Sequence, residues 1–154
     1  MAGSTAGPTD IKAFNRAVID EFRANNGRVS HEMLARARLL LLTTIGARSG
    51  RPHTTPLGYF SDGPGRIVLW ASAMGAPKHP DWYRNLVAHP EVTIELGSES
   101  GSVRRYTGRT STAEGGERDR LFEMIRSERP HVAAHQDRTE RTIPIVLIEY
   151  GTLD

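Results

Sequence analysis

Polar and cationic residues collect at three places along this chain. The first runs from Thr43 to Leu57 as Thr-Thr-Ile-Gly-Ala-Arg-Ser-Gly-Arg-Pro-His-Thr-Thr-Pro-Leu. Gly46 and Gly50 allow backbone N–H groups to approach a ligand closely. Arg48 presents a planar fork suited to phosphate or carboxylate. Arg51 and His53 add positive charge, and Ser49, Thr54 and Thr55 add neutral donors. The spacing is not a Walker A loop, because no Gly-Lys-Ser/Thr follows. It is not a dinucleotide fingerprint either, because a strand rather than a helix comes next. On residue types alone this is a weak anion site, in competition with a hairpin loop whose arginines face solvent.

The second place is Ala71-Ser72-Ala73-Met74-Gly75-Ala76-Pro77-Lys78-His79-Pro80-Asp81-Trp82-Tyr83-Arg84-Asn85-Leu86. Its small residues let a flat ring lie against backbone. Trp82 and Asn85 are three apart and share one helical face. The indole can stack while the amide hydrogen-bonds; the alternative is a core Trp82 and an Asn85 that caps a turn. The third is His131 to Arg141, where His131, His135, Gln136, Arg138, Thr139 and Arg141 can line a substrate mouth. His135 titrates near neutral pH and can donate a proton. Its alternative is a partly exposed histidine with no partner.

Other chemistries lack their residues. There is no cysteine, which excludes disulfides and thiolate chemistry and fits a reducing cytoplasm. No His-x-x-x-His pair occurs, and the histidines lack metal-ligand spacing, so no metal site is expected. There is no Gly-x-Ser-x-Gly elbow. Lys plus Arg number 20 against 18 Asp plus Glu, too balanced for a nucleic-acid binder. Arg104 and Arg105 form a further small basic cluster. The longest apolar run, Leu39 to Leu42, is far short of a membrane span. The N-terminus has no signal-peptide pattern. The chain is therefore expected to be cytoplasmic.

The elements that would position these groups can be read from periodicity. A chain of 154 residues suits a single domain. Residues 1–9 read as a disordered tail and 10–154 as one domain. Asp10 caps a helix reaching Asn26, with Ile11, Phe14, Val18, Ile19 and Phe22 on one face and Gly27 as its stop. That helix packs on the domain's own sheet, or serves a membrane surface or a second subunit. Strands are expected at Leu39–Ile45, His53–Phe60 with Pro56 at an edge, and Arg66–Ala71 after the Asp62-Gly63-Pro64-Gly65 turn, forming an antiparallel meander. A short helix spans Pro80–Ala88. Strands follow at Val92–Leu96 and Val103–Thr112, a helix at Glu114–Arg129, a helical turn at Val132–Arg138 and a last strand at Ile143–Tyr150. About six antiparallel strands with peripheral helices, without βαβ alternation, point to a mainly β (α+β) barrel.

Read in order, these segments resemble the deazaflavin (F420)-dependent nitroreductase family. The likeness rests on Leu39 to Gly50, Thr54-Thr55-Pro56-Leu57, Ala71-Ser72, Gly75-Ala76-Pro77, His79-Pro80, Trp82-Tyr83, Asn85-Leu86 and Arg141-Thr142-Ile143-Pro144-Ile145-Val146. It covers about Asn15 to Glu149. The resemblance implies a split β-barrel, related to flavin-reductase and PNP-oxidase-like barrels. It implies coenzyme F420 as cofactor and hydride transfer to a quinone, enone or nitroaromatic acceptor. Arg48, Ser49, Gly50, Arg51 and His53 would hold the coenzyme's anionic tail, with Thr55, Pro56 and Leu57 beside them. Ala71, Ser72, Ala73, Met74 and Gly75 would border the ring, and Trp82 and Asn85 would close the site. Ser72 and His135 are the candidate catalytic donors. The chain departs from relatives at Ala73 and His53, where they commonly carry lysine and arginine. Other readings of the same fold are a non-catalytic F420 carrier, or a barrel that binds FMN, haem or a fatty acid.

Overall fold

The computed structural model describes residues 8–29 and 38–151. The order is α1 (Pro8–Ala24), β1 (Leu39–Ile45), β2 (Pro52–Gly58), β3 (Phe60–Ser61), β4 (Arg66–Trp70), α2 (Asp81–Ala88), β5 (Glu91–Leu96), β6 (Arg104–Thr112), α3 (Gly115–Glu128), α4 (Pro130–Ala133), a 3-10 segment Ala134–Arg138 and β7 (Ile145–Tyr150). Among the described residues all strand pairs are antiparallel and form one sheet, ordered β2-β1-β5-β6-β7-β4-β3. The sheet curls into a split barrel, as expected, with seven strands rather than six.

Three strands read as unbroken apolar runs, and the fold explains why. Leu40 and Leu42, Ile67 and Leu69, Val146 and Ile148 point into the curled sheet, where Val92, Ile94 and Leu86 of α2 join them. Their alternate neighbours Val68, Trp70, Ile145 and Leu147 pack outward under Leu121 and Ile125 of α3. Leu39 and Leu41 pack under Val18 and Phe22 of α1. Strands covered on both faces lose the polar alternation of half-exposed ones.

The same logic overturns the expected meander. β1 pairs with β2 and β5, whereas β4 pairs with β7 and β3. Doubly apolar β1 and β4 need covered interior positions. Polar β2 carries Pro52 and Pro56, which offer no N–H to a second neighbour, and lies at the sheet's edge. The expected second strand ends at Gly58, and Phe60 belongs to the separate β3.

Helix α1 begins at Pro8, a residue suited to a helix's first turn, so Asp10 lies inside it. The tail over 1–7 and the side chains of Asp10 and Ile11 fall outside the described residues. Gly27, at φ +86°, closes the helix end. Val18 and Phe22 are buried as expected, but Phe14 is 43% exposed, because this half of α1 runs beside a cleft rather than over the sheet. The helix is fastened at its other end. Arg23 donates to both oxygens of Glu95 at 2.9 and 2.8 Å, and Glu95 on β5 is only 4% exposed. No described helix is long and apolar enough to cross a membrane.

Candidate functional site

The β1–β2 loop is built around its glycines. Gly46 N–H donates to Arg51 O at 2.8 Å and Gly50 N–H to Gly46 O at 3.0 Å. Gly50 takes φ +69°, which an L side chain rarely adopts. A Cβ on Gly46 would collide with Ser49 Oγ and meet His53 Nε2 at 3.0 Å. Ser49 Oγ accepts from Arg51 N–H at 3.1 Å and lies 3.3 Å from His53 Nε2. Asn85 of α2 pins this loop from outside: its Oδ1 accepts from Ala47 N–H at 3.0 Å, and its Nδ2 donates to Thr44 Oγ1 at 3.1 Å.

Between α1, this loop and α2 lies a cleft of about 1050 Å³, at the upper end for a cofactor pocket. Of the expected residues, Arg48, Ser49, His53, Thr55, Trp82 and Asn85 line it, as does Thr54. Helix α1 adds a wall that the sequence reading missed, with Lys12, Asn15, Arg16 and Ile19, and α2 adds Arg84. Lys12, Arg16, Ile19 and Arg23 recur at helical spacing, a signal hidden by attention to the apolar face. Arg23 is neutralised by Glu95. Among the described residues Lys12, Arg16, Arg48 and Arg84 make no ion pair, against two acids on the lining, Asp20 and Asp81. The surplus suits an anion.

Gly50 and Arg51 sit in the loop without lining the cleft. Pro56 and Leu57 lie further along β2, opposite Leu41 and Leu40, and Leu57 packs on the barrel interior. Arg104 and Arg105 are exposed on β6, away from the lining.

A second group forms where β4 ends. Ala71 is wholly buried, Ser72 is 7% exposed, and Met74 projects into solvent at 71% exposure. Ala73, Met74 and Gly75 take φ of 45°, 57° and 84°, a left-handed turn. Gly75 is obligatory there twice over, since a Cβ would also meet Arg138 Cβ at 2.6 Å and His135 O at 2.9 Å. This close approach delivers His135, whose Nδ1 lies 2.8 Å from Ser72 Oγ. The residue that sequence offered as a lone histidine thus has a partner sixty-three positions away. Ser72 Oγ also accepts from Met74 N–H at 3.4 Å, and its bond with His135 Nδ1 runs in either direction according to the imidazole tautomer. Burial, then the charges of Arg138 and His131, hold His135 below the ordinary imidazole range, in the neutral form. Gln136 turns inward instead of lining a mouth: it donates to Arg141 O at 2.7 Å and accepts from Ile143 N–H at 3.0 Å.

Residues 14–150 match the family model described as F420H(2)-dependent quinone reductase. An F420H(2)-dependent quinone reductase of Mycobacterium tuberculosis (strain H37Rv) is 34% identical over 128 residues, 82% of this chain and 83% of its own. A solved F420-H2 dependent reductase, FDR-A, is 33% identical, with a TM-score of 0.61 over 72% of this chain and 93% of that one. A structure described as a domain-swapped dimer is 31% identical, with a TM-score of 0.65 over 93% of this chain and all of that one (100%). The fold and site therefore define a split-barrel reductase. The chain belongs to the F420H(2)-dependent quinone reductase family.

Proposed function

We propose that this protein is an oxidoreductase that holds reduced F420 in the cleft and directs its hydride to a quinone-type acceptor. The observation that carries the reading is the set Lys12, Arg16, Arg48 and Arg84 around one cleft, without ion pairs among the described residues, in a chain of this family. The donor set fits the group. Guanidinium and ammonium groups suit an anionic tail, the tight Gly46 loop brings backbone close, and Trp82 offers a flat apolar wall. When bound, the reduced coenzyme supplies a hydride from its deazaflavin ring.

The protein's own part is positioning and proton handling. Arg48, Lys12 and Arg16 bind the anionic end. Asn85 fixes the loop against α2, and Trp82 limits water at the ring. Ser72 is the donor to an acceptor oxygen as it gains negative charge, with His135 bonded behind it. A neutral His135 that donates Nδ1–H to Ser72 Oγ leaves the serine proton free for the acceptor without adding charge. A homodimer belongs to the same proposal, supported by the domain-swapped dimer formed by the 31% identical structure; light scattering of the purified chain reads it.

The test is anaerobic oxidation of reduced F420 followed by absorbance, with a panel of benzoquinones and naphthoquinones. Turnover is expected, and Ser72→Ala should lower kcat by about a hundredfold. Tight coenzyme binding without turnover by any acceptor would make the protein a carrier instead.

A further inference from the structure

The Arg141-Thr142-Ile143-Pro144 segment has no part in the cleft, yet its arginine is wholly engaged. Nε donates to Ala76 O at 2.8 Å. Nη1 donates to Ala71 O at 3.3 Å and to His79 Nδ1 at 2.8 Å. Nη2 donates to Ser72 O at 2.7 Å and to Ala71 O at 3.4 Å. All five N–H groups of the guanidinium therefore point at the residues flanking the left-handed turn, Ala71, Ser72 and Ala76, or at His79 beside it. Burial, then Arg141 and Arg84, hold His79 below the ordinary imidazole range, which keeps Nδ1 an acceptor.

Two features go beyond what a fold staple needs. First, among the described residues no carboxylate pairs with Arg141. A part-buried guanidinium met only by carbonyl dipoles and a neutral imidazole leaves an uncompensated positive charge directly behind Ser72. Secondly, its bonds take up the carbonyl side of the turn. The N–H side stays open: among the described residues neither Ser72 N–H nor Ala73 N–H has a protein acceptor. Ser72 Oγ lies on that open side, since it accepts from Met74 N–H. An αR residue followed by αL residues, here Ser72 at φ −80° and then Ala73 and Met74, presents its N–H groups as a concave anion cradle.

We propose that Arg141 is a positioning residue for hydride transfer: it holds residues 71–76 so that Ser72 and the open N–H groups meet the acceptor's oxygen, and its unpaired charge favours acceptors that become anionic there. This rests on the quinone reductase reading above. One hydride converts a quinone to a hydroquinone monoanion and leaves the coenzyme oxidised. The negative charge resides on oxygen until one proton arrives from water, giving the hydroquinone. Cation and N–H groups are preorganised for that charge.

Arg141→Lys and Arg141→Ala, in the full chain, test the assignment. Both should melt cooperatively and bind F420 by fluorescence titration within about twofold of the parent, since Arg141 bonds to none of the residues that line the cleft. The kcat for a naphthoquinone should fall by at least about tenfold with KM little changed, in Lys as well as Ala, because an ammonium cannot reproduce the fork. Added guanidinium ion should restore part of the Ala variant's rate. A kcat for Lys within twofold of the parent, loss of coenzyme affinity in step with kcat, or failure of both variants to fold would each overturn the proposal. An inactive parent would instead sink the reductase reading itself.

Discussion

Asn85→Ala tests whether this side chain anchors the β1–β2 loop to α2. The side chain makes two bonds across elements, to Ala47 N–H and Thr44 Oγ1. Thr44 is only 1% exposed, but it borders the cleft, so water can replace part of what its hydroxyl loses. Two neutral bonds at about 1 kcal/mol each give a loss of about 2 kcal/mol. For a chain of this size that lowers Tm by about 4–8 °C. Coenzyme affinity should fall too, because the Gly46–Arg51 loop is no longer held against α2. Asn85→Asp distinguishes the causes. Its carboxylate still accepts from Ala47 N–H, and the Thr44 hydroxyl can reverse to donate, so Tm should stay near the parent. The new negative charge stands beside the cationic lining. At about 6 Å from a ligand charge and an effective dielectric constant of about 40, repulsion is about 1.4 kcal/mol, a tenfold loss of affinity that salt should shrink. Differential scanning fluorimetry and fluorescence titration with F420 read both quantities. An Ala variant with parental Tm and affinity, or an Asp variant with undiminished affinity at low salt, would refute the anchoring and the anionic cargo respectively.

Two further outcomes follow from the same geometry. Combined Lys12→Ala and Arg16→Ala should weaken coenzyme binding by about tenfold at low salt and much less at about 1 M salt, measured by titration; salt-independent weakening would place α1's contribution in packing rather than charge. His79 and His135 are both held below the ordinary imidazole value of 6.5, by burial first and then by Arg141 and Arg84, and by Arg138 and His131. Between the folded and ordinary values the unfolded chain binds more protons, so this stability is full above 6.5 and drains away as pH falls. Tm should drop between about pH 7.5 and pH 5.5, and His135→Asn should flatten the slope; a Tm that rises on acidification contradicts it.

Much of this protein could be read directly from residue order. Apolar runs at Leu39–Leu42, Ile67–Trp70 and Ile145–Ile148 gave their strands within a residue or two, and Pro and Gly marked the breaks. These are local effects of backbone sterics and side-chain periodicity. The loop around Arg48, the Ser72 segment and the Trp82–Asn85 face were legible as motifs for the same reason. Strand order was not. Whether β4 pairs with β2 or β7 depends on which faces become covered, a property of the closed sheet and not of either strand. Nor was the union of Ser72 with His135, the cationic wall of α1, or the grip of Arg141 on the turn. Each joins residues distant in the chain, and burial and hydrogen bonding across such gaps act only after the sheet has curled and the helices have docked.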